Sequence, residues 1–110
     1  MLDSAPAAWR SDGGVYLGLG SNLGDRAAHL QEGLFALADR GVRPLRLSSL
    51  YDTDPVGPQN QGNFLNLAAE VGWAGDPGEL LLHCQEVERR SGRVRGIPGG
   101  PRTLDVDILL

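Results

Sequence analysis

Cysteine, long apolar runs and excess positive charge are what this sequence has least of. A single cysteine, Cys84, occurs in 110 residues, so no internal disulfide can form; a reducing, cytoplasmic setting is expected, with the thiol buried. No run of about eighteen apolar residues occurs, so no helix is expected to span a bilayer. The formal net charge is -4, which creates no long-range attraction to a nucleic-acid backbone or an anionic membrane, and neither is expected as a partner. Residues Met1 to Gly14 lack the basic start and apolar run of a secretory signal and read as a loose tail. What is present is a hydrophobic fraction of 41%, enough for one small domain with a two-layer core.

From Val15 the alternation V-Y-L-G-L-G sets Val15, Leu17 and Leu19 against Tyr16, Gly18 and Gly20, the signature of a strand. After the turn at Ser21 to Asp25, Leu30, Leu34 and Leu37 recur at helical spacing, with Ala27 and Ala38 extending the stripe, and Gly41 is placed to stop that helix. A second strand is expected from Val42 to Tyr51, half-buried through Leu45 and Leu47. The prolines and glycines between Asp54 and Gly62 predict a shaped loop, and Phe64 to Trp73 returns to strand. Asp76-Pro77-Gly78-Glu79 has helix-start chemistry, with Leu80, Leu81, Cys84 and Val87 expected in the core and Gly92 ending the helix. An arginine- and glycine-rich loop, 93–102, leads to a last strand at Thr103 to Leu110. The order predicts an α+β domain on the β-α-β-β-α-β, ferredoxin-like plan, an antiparallel sheet with two helices on one face and the other face left for ligands.

In Leu104-Asp105-Val106-Asp107-Ile108 the carboxylates lie two apart, so a strand projects both from one face, with Cα atoms roughly 7 Å apart. Leu104, Val106, Ile108 and Leu110 then point into the core. Neighbouring carboxylates repel, and a divalent cation relieves that repulsion; a solvated face is the equal alternative, because D-x-D alone is a weak motif. Arg93, Arg95 and Arg102 shift the balance, since guanidinium forks suit phosphate oxygens, although surface salt bridges would also account for them. Gly92, Gly96, Gly99 and Gly100 would let that loop close over a nucleotide, or merely make it a loose connection. Gln85 and Glu88, three apart on a helix, share a side and could face either the ligand or solvent. His83 reads as a helix-edge histidine, because no second ligand lies at zinc spacing. Asn66 could satisfy the amide-like edge of a heterocycle, and Phe64 on the same face could stack on a flat ring or pack in the core.

Four blocks, G-L-G-S-N-L-G-D-R at 18–26, S-S-L-Y-D-T-D-P-V-G-P-Q at 48–59, F-L-N at 64–66 and G-P-R-T-L-D-V-D-I-L at 100–109, closely resemble hydroxymethyl-dihydropterin pyrophosphokinase of the folate pathway, from Val15 to Leu110. The resemblance implies transfer of diphosphate from ATP to the hydroxymethyl group of 6-hydroxymethyl-7,8-dihydropterin, with release of AMP. It implies two Mg²⁺ ions held by Asp105 and Asp107, a pterin pocket lined by Thr53, Val56, Phe64 and Asn66, and a nucleotide side formed by Gln85, Glu88, Arg93, Arg95, Arg102 and Ile108. Arg95 and Arg102 join the two aspartates as catalytic residues, stabilising the transition state. Small molecules are the implied partners, and a monomer is expected.

Three departures from the family pattern stand out. Members usually continue for several tens of residues past the D-x-D strand, so 15–110 is expected to be a pyrophosphokinase domain without that C-terminal segment. The tryptophan that some members carry in the arginine loop is replaced here by Gly96-Ile97-Pro98-Gly99-Gly100. Asp54 stands where many members have proline. Two alternatives follow: a remnant that binds ATP or pterin without turnover, and a palm-like nucleotidyl transferase with a nucleic-acid acceptor, which the acidic charge disfavours.

Overall fold

A computed structural model of the chain describes residues 14–54, 62–92 and 103–109. Its elements run β1 (Val15–Ser21), α1 (Arg26–Asp39), β2 (Arg43–Leu47), β3 (Tyr51–Thr53), β4 (Phe64–Gly72), α2 (Pro77–Arg90) and β5 (Asp105–Leu109). All strand pairs are antiparallel; the sheet order is β2-β4-β1-β5, and β3 also pairs with β4. Among the described residues the result is an α+β arrangement of a five-stranded sheet and two helices.

Each element starts and stops for a local reason. Asp25 caps α1 by accepting from the Ala28 N–H at 3.1 Å, and Asp76 caps α2 by accepting from Gly78 and Glu79. Pro77, at the first turn of α2, has no N–H to leave unsatisfied. Gly41 and Gly92 follow the helix ends at φ +88° and +86°, left-handed values that a residue with a Cβ adopts only at a cost.

Alternation then sorts the residues into layers. Leu17 and Leu19 of β1, Leu67, Ala69 and Val71 of β4, and Leu104 and Val106 form one buried cluster with Leu30 and Leu37 of α1 and Leu80, Cys84 and Val87 of α2. Ile108 packs against it. Burial pushes the Cys84 thiol up to about 11, with the Glu88 and Asp107 carboxylates adding to the effect, so it stays a neutral core group.

Several expectations need correction. The strand expected at 42–51 is two strands, β2 and β3, separated by Ser48 to Leu50. The register shifts between Pro44 and Arg46, so Leu45 sits at a bulge and is exposed, and Leu47 at the sheet margin is exposed as well. Leu81 lies outside the core, where Glu88 takes a buried place instead. Ala27 and Ala38 are exposed, and the interior of α1 is closed by Gly33, where a Cβ would meet Leu104 Cδ2 at 2.8 Å. The tail at 1–13, the loop residues 55–61, the arginine loop 93–102 and Leu110 lie outside the described residues.

The end of α2 carries a pH-dependent contact. Arg89 and Arg90 both bond Glu86 and hold its carboxyl down to about 2 from an ordinary 4.5. Because the folded value is the lower one, this contact contributes above pH 4.5 and is lost as pH falls toward 2. Thermal melts of the wild type and Glu86→Gln should differ slightly at neutral pH and converge toward the acid end of that window.

Candidate active site

The face opposite the helices is built by the other half of the same alternation. The antiparallel register places Asp105 opposite Gly20 and Asp107 opposite Gly18, while across β1 Gly20 faces Asn66 and Gly18 faces Ala68. Two glycines in β1 therefore leave a bare floor between the acidic strand and β4. On the far side of β4, Tyr51 lies opposite Asn66 and Thr53 opposite Phe64. Together these residues line a cavity of about 310 Å³ on the open sheet face.

Close approach explains the glycine at position 20. A Cβ there would stand 2.8 Å from Asn66 Oδ1 and 3.3 Å from the Phe64 ring. Asn66 is held from the other end, where its Nδ2 donates to Thr53 Oγ1 at 2.8 Å. The amide is thus oriented with its nitrogen toward β3 and its oxygen over the floor, which offers an acceptor to a ligand N–H beside the Phe64 ring.

The acidic side has a different support. Glu88 is 6% exposed, and its Oε2 accepts from the Val106 N–H at 2.7 Å. Val106 lies between the two aspartates on the sheet's edge strand, so this bond holds the backbone that aims them. Asp105 is half-buried and Asp107 exposed, and both line the cavity. Among the described residues, no group of three or more His, Cys, Asp or Glu could hold a metal ion.

The structure thus brings Thr53, Phe64, Asn66, Asp105 and Asp107 to one cavity. Ile108 turns its side chain to the core, and Gln85 is exposed while Glu88 is buried, so the two do not share an environment. Val56, Arg93, Arg95 and Arg102 lie outside the described residues. His83 matches its reading as a helix-edge residue: it is half-buried, meets Trp73 edge to face at 5.2 Å and accepts from Arg40 Nε at 2.9 Å. Sequence reasoning missed Gly18, Gly20, Tyr51 and Leu109 as cavity residues. The glycines were legible as a period-two pair on a strand; Tyr51 was not, because the break between β2 and β3 leaves no strong local signal.

An α+β domain with an open cavity on the sheet face away from its helices is the class that fold and site define. The chain belongs to the 7,8-dihydro-6-hydroxymethylpterin-pyrophosphokinase family, whose pattern matches residues 16–110. It is 45% identical over 97 residues to the 2-amino-4-hydroxy-6-hydroxymethyldihydropteridine pyrophosphokinase of Bacillus subtilis, covering 87% of this chain and 58% of that protein. It is 41% identical over 96 residues to the protein of the same name from Aquifex aeolicus, covering 87% and 59%. A bifunctional protein FolKE of Lactococcus lactis is 41% identical over 96 residues, which make up 86% of this chain and 28% of that one. The chain therefore spans a little under three fifths of the length of the Bacillus subtilis and Aquifex aeolicus proteins.

Two substitutions probe the supports of the cavity. Glu88→Ala leaves the buried Val106 N–H without its acceptor and should cost about 1–3 kcal/mol in denaturant unfolding, whereas Glu88→Gln, which keeps an acceptor oxygen, should cost less. Gly20→Ala should displace the Asn66 amide, seen as a shift of its side-chain NH₂ resonances, at a stability cost of about 1–3 kcal/mol.

Proposed function

We propose that this chain transfers a diphosphate from ATP to the hydroxymethyl group of 6-hydroxymethyl-7,8-dihydropterin, releasing AMP, as a step of folate biosynthesis. The observation that carries the reading is the shared cavity: two carboxylates on one side of a glycine floor, and an oriented amide with an aromatic ring on the other. Family membership supports the same assignment. In the reaction the pterin hydroxyl oxygen bonds to the β-phosphorus, the bond between that phosphorus and the α,β-bridging oxygen breaks, and the hydroxyl proton is released.

The donor set fits magnesium, which is ordinarily bound through one or two carboxylates with phosphate and water oxygens completing its shell. Bound at Asp105 and Asp107, two Mg²⁺ ions would supply charge neutralisation and in-line alignment of the polyphosphate, which is most of what such a transfer requires of a protein. The chain's own groups do the remaining positioning. Thr53, Asn66 and Phe64, with Val56, hold the pterin, Asn66 through its acceptor oxygen and Phe64 through its ring. Gln85, Arg93, Arg95 and Arg102 grip the nucleotide, with Arg95 and Arg102 stabilising the charge that develops on the phosphates. The sequence has ten arginines and no lysine, so each permanently charged side-chain cation offers a planar fork suited to phosphate. Glu88 serves the nucleotide side through the strand that it holds, and Ile108 through its main chain, because its side chain is in the core.

The sheet order supports the ferredoxin-like plan if β2 and β3 are taken as halves of one interrupted strand. Residues 15–110 are read as the pyrophosphokinase domain, acting as a monomer on small molecules in the cytoplasm. Among the described residues, no helix is long and apolar enough to cross a membrane.

Incubation with ATP, Mg²⁺ and the pterin alcohol should release AMP; nucleotide binding without AMP would instead favour the binding-only reading, and pyrophosphate release the nucleotidyl-transferase one. Asp105→Ala and Asp107→Ala should each abolish the Mg²⁺-dependent part of ATP binding in calorimetry and lower turnover by at least about 100-fold. Melting temperature should move by no more than about 3 °C, because neither side chain belongs to the core. Large unfolding in either variant would make the aspartates structural.

A further inference from the structure

We propose that Arg26 is a positioning residue for the pterin side of the cavity, an inference that rests on the function proposed above. Its Nη1 donates to Asp52 Oδ1 at 2.7 Å and to the Asn63 carbonyl at 2.9 Å. Those acceptors belong to the residues immediately before Thr53 and Phe64, which lie opposite each other in the β3–β4 ladder. One guanidinium nitrogen thus spans the rung that carries two cavity walls.

Three observations give this bridge a role beyond a surface ion pair. First, β3 has three residues, all exposed, and among the described residues its one strand partner is β4, so few backbone bonds hold it in register. Second, Arg26 is the first residue of α1, where a cation opposes the helix dipole; the helix itself gains nothing from it, and its contacts across to β3 and β4 account for its place. Third, the neighbouring Asn22 donates from Nδ2 to the Gly62 carbonyl at 3.2 Å, tying the same turn to the same approach into β4. Thr53 in turn receives the Asn66 amide at 2.8 Å, which keeps Asn66 Oδ1 over the Gly20 floor. The line of support runs from Arg26 through Asp52 and Thr53 to Asn66. Since the Arg26 and Asp52 side chains are 33% and 55% exposed, the pair adds little to global stability, and its effect falls on local geometry.

The test uses the 110-residue chain with 6-hydroxymethylpterin as the probe in fluorescence titration, Mg·ATP in calorimetry, and backbone amide exchange. Arg26→Ala should weaken pterin binding roughly three- to tenfold while Mg·ATP affinity stays within about twofold, since small displacements of positioning groups are costly at the ligand that they orient. Amide exchange at Thr53 and Phe64 should quicken in the same variant. Arg26→Lys, which keeps the charge and enough donors but carries them on a flexible stem without the planar fork, should fall between wild type and Arg26→Ala. Asp52→Asn, which leaves the Asn63 contact intact, should shift pterin affinity in the same direction by less. Unchanged pterin affinity in Arg26→Ala overturns the proposal. So does a parallel fall of both affinities with melting temperature, which would mark Arg26 as merely structural. A wild-type chain that binds no pterin would sink the functional reading and this inference with it, whereas a wild type that binds and an Arg26→Ala that binds equally well would sink only the inference.

Discussion

Everything on the open face depends on the register in which β1 lies between β4 and β5. A slip of one residue along either ladder would turn Asp105 and Asp107 toward the helices and bring Leu104 and Val106 out to water. Apolar packing prevents that slip: burying a leucine or valine side chain is worth about 1.5–3 kcal/mol. Leu17, Leu19, Leu67, Leu104 and Val106 all enter the core only in the observed register. The carboxylates therefore take their position from hydrophobic neighbours on the opposite face, with Glu88 adding one buried bond to the strand between them.

The two sides of the cavity are held by different physics. The acidic side sits on a strand whose register is set by the core and whose outer edge is bonded to a helix carboxylate. The amide side sits where β4 meets the short strand β3, and its geometry comes from polar contacts: Asn66 to Thr53, Asn22 to Gly62, and Arg26 to Asp52 and Asn63. Packing gives a rigid frame for the carboxylates, and directional hydrogen bonds fix the orientation of the amide. Between them the glycines of β1 keep the floor clear, at Gly20 because any side chain would strike Asn66.

Much of this was legible before any coordinates. Period-two alternation in β1 and β5, helical stripes at Leu30 and Leu37 and at Leu80, Cys84 and Val87, the Asp76 cap and the Gly41 and Gly92 stops all follow from local rules, and the structure keeps them. The illegible parts are those where neighbours overrule the local pattern. Leu45 alternates correctly yet is exposed because a bulge shifts the register of an edge strand. Leu81 lies on the expected stripe but outside the core, while Glu88, which spacing alone left open between ligand and solvent, faces neither and is buried, accepting from the Val106 N–H.

What the sequence determined by itself is both helices, the strands β1, β4 and β5 with the facing of the side chains on β1 and β5, and the presence of two acids on one side of a strand, since these depend on periodicities of two and 3.6 residues. Which residues meet across the cavity was decided only in three dimensions. Asp105 and Asn66 are far apart in the chain and come to the two sides of Gly20 through antiparallel pairing. Arg26 reaches Asp52 and Asn63 because α1 begins beside the end of the β3–β4 ladder. Pairing and packing are interactions between segments, and no local pattern carries that information.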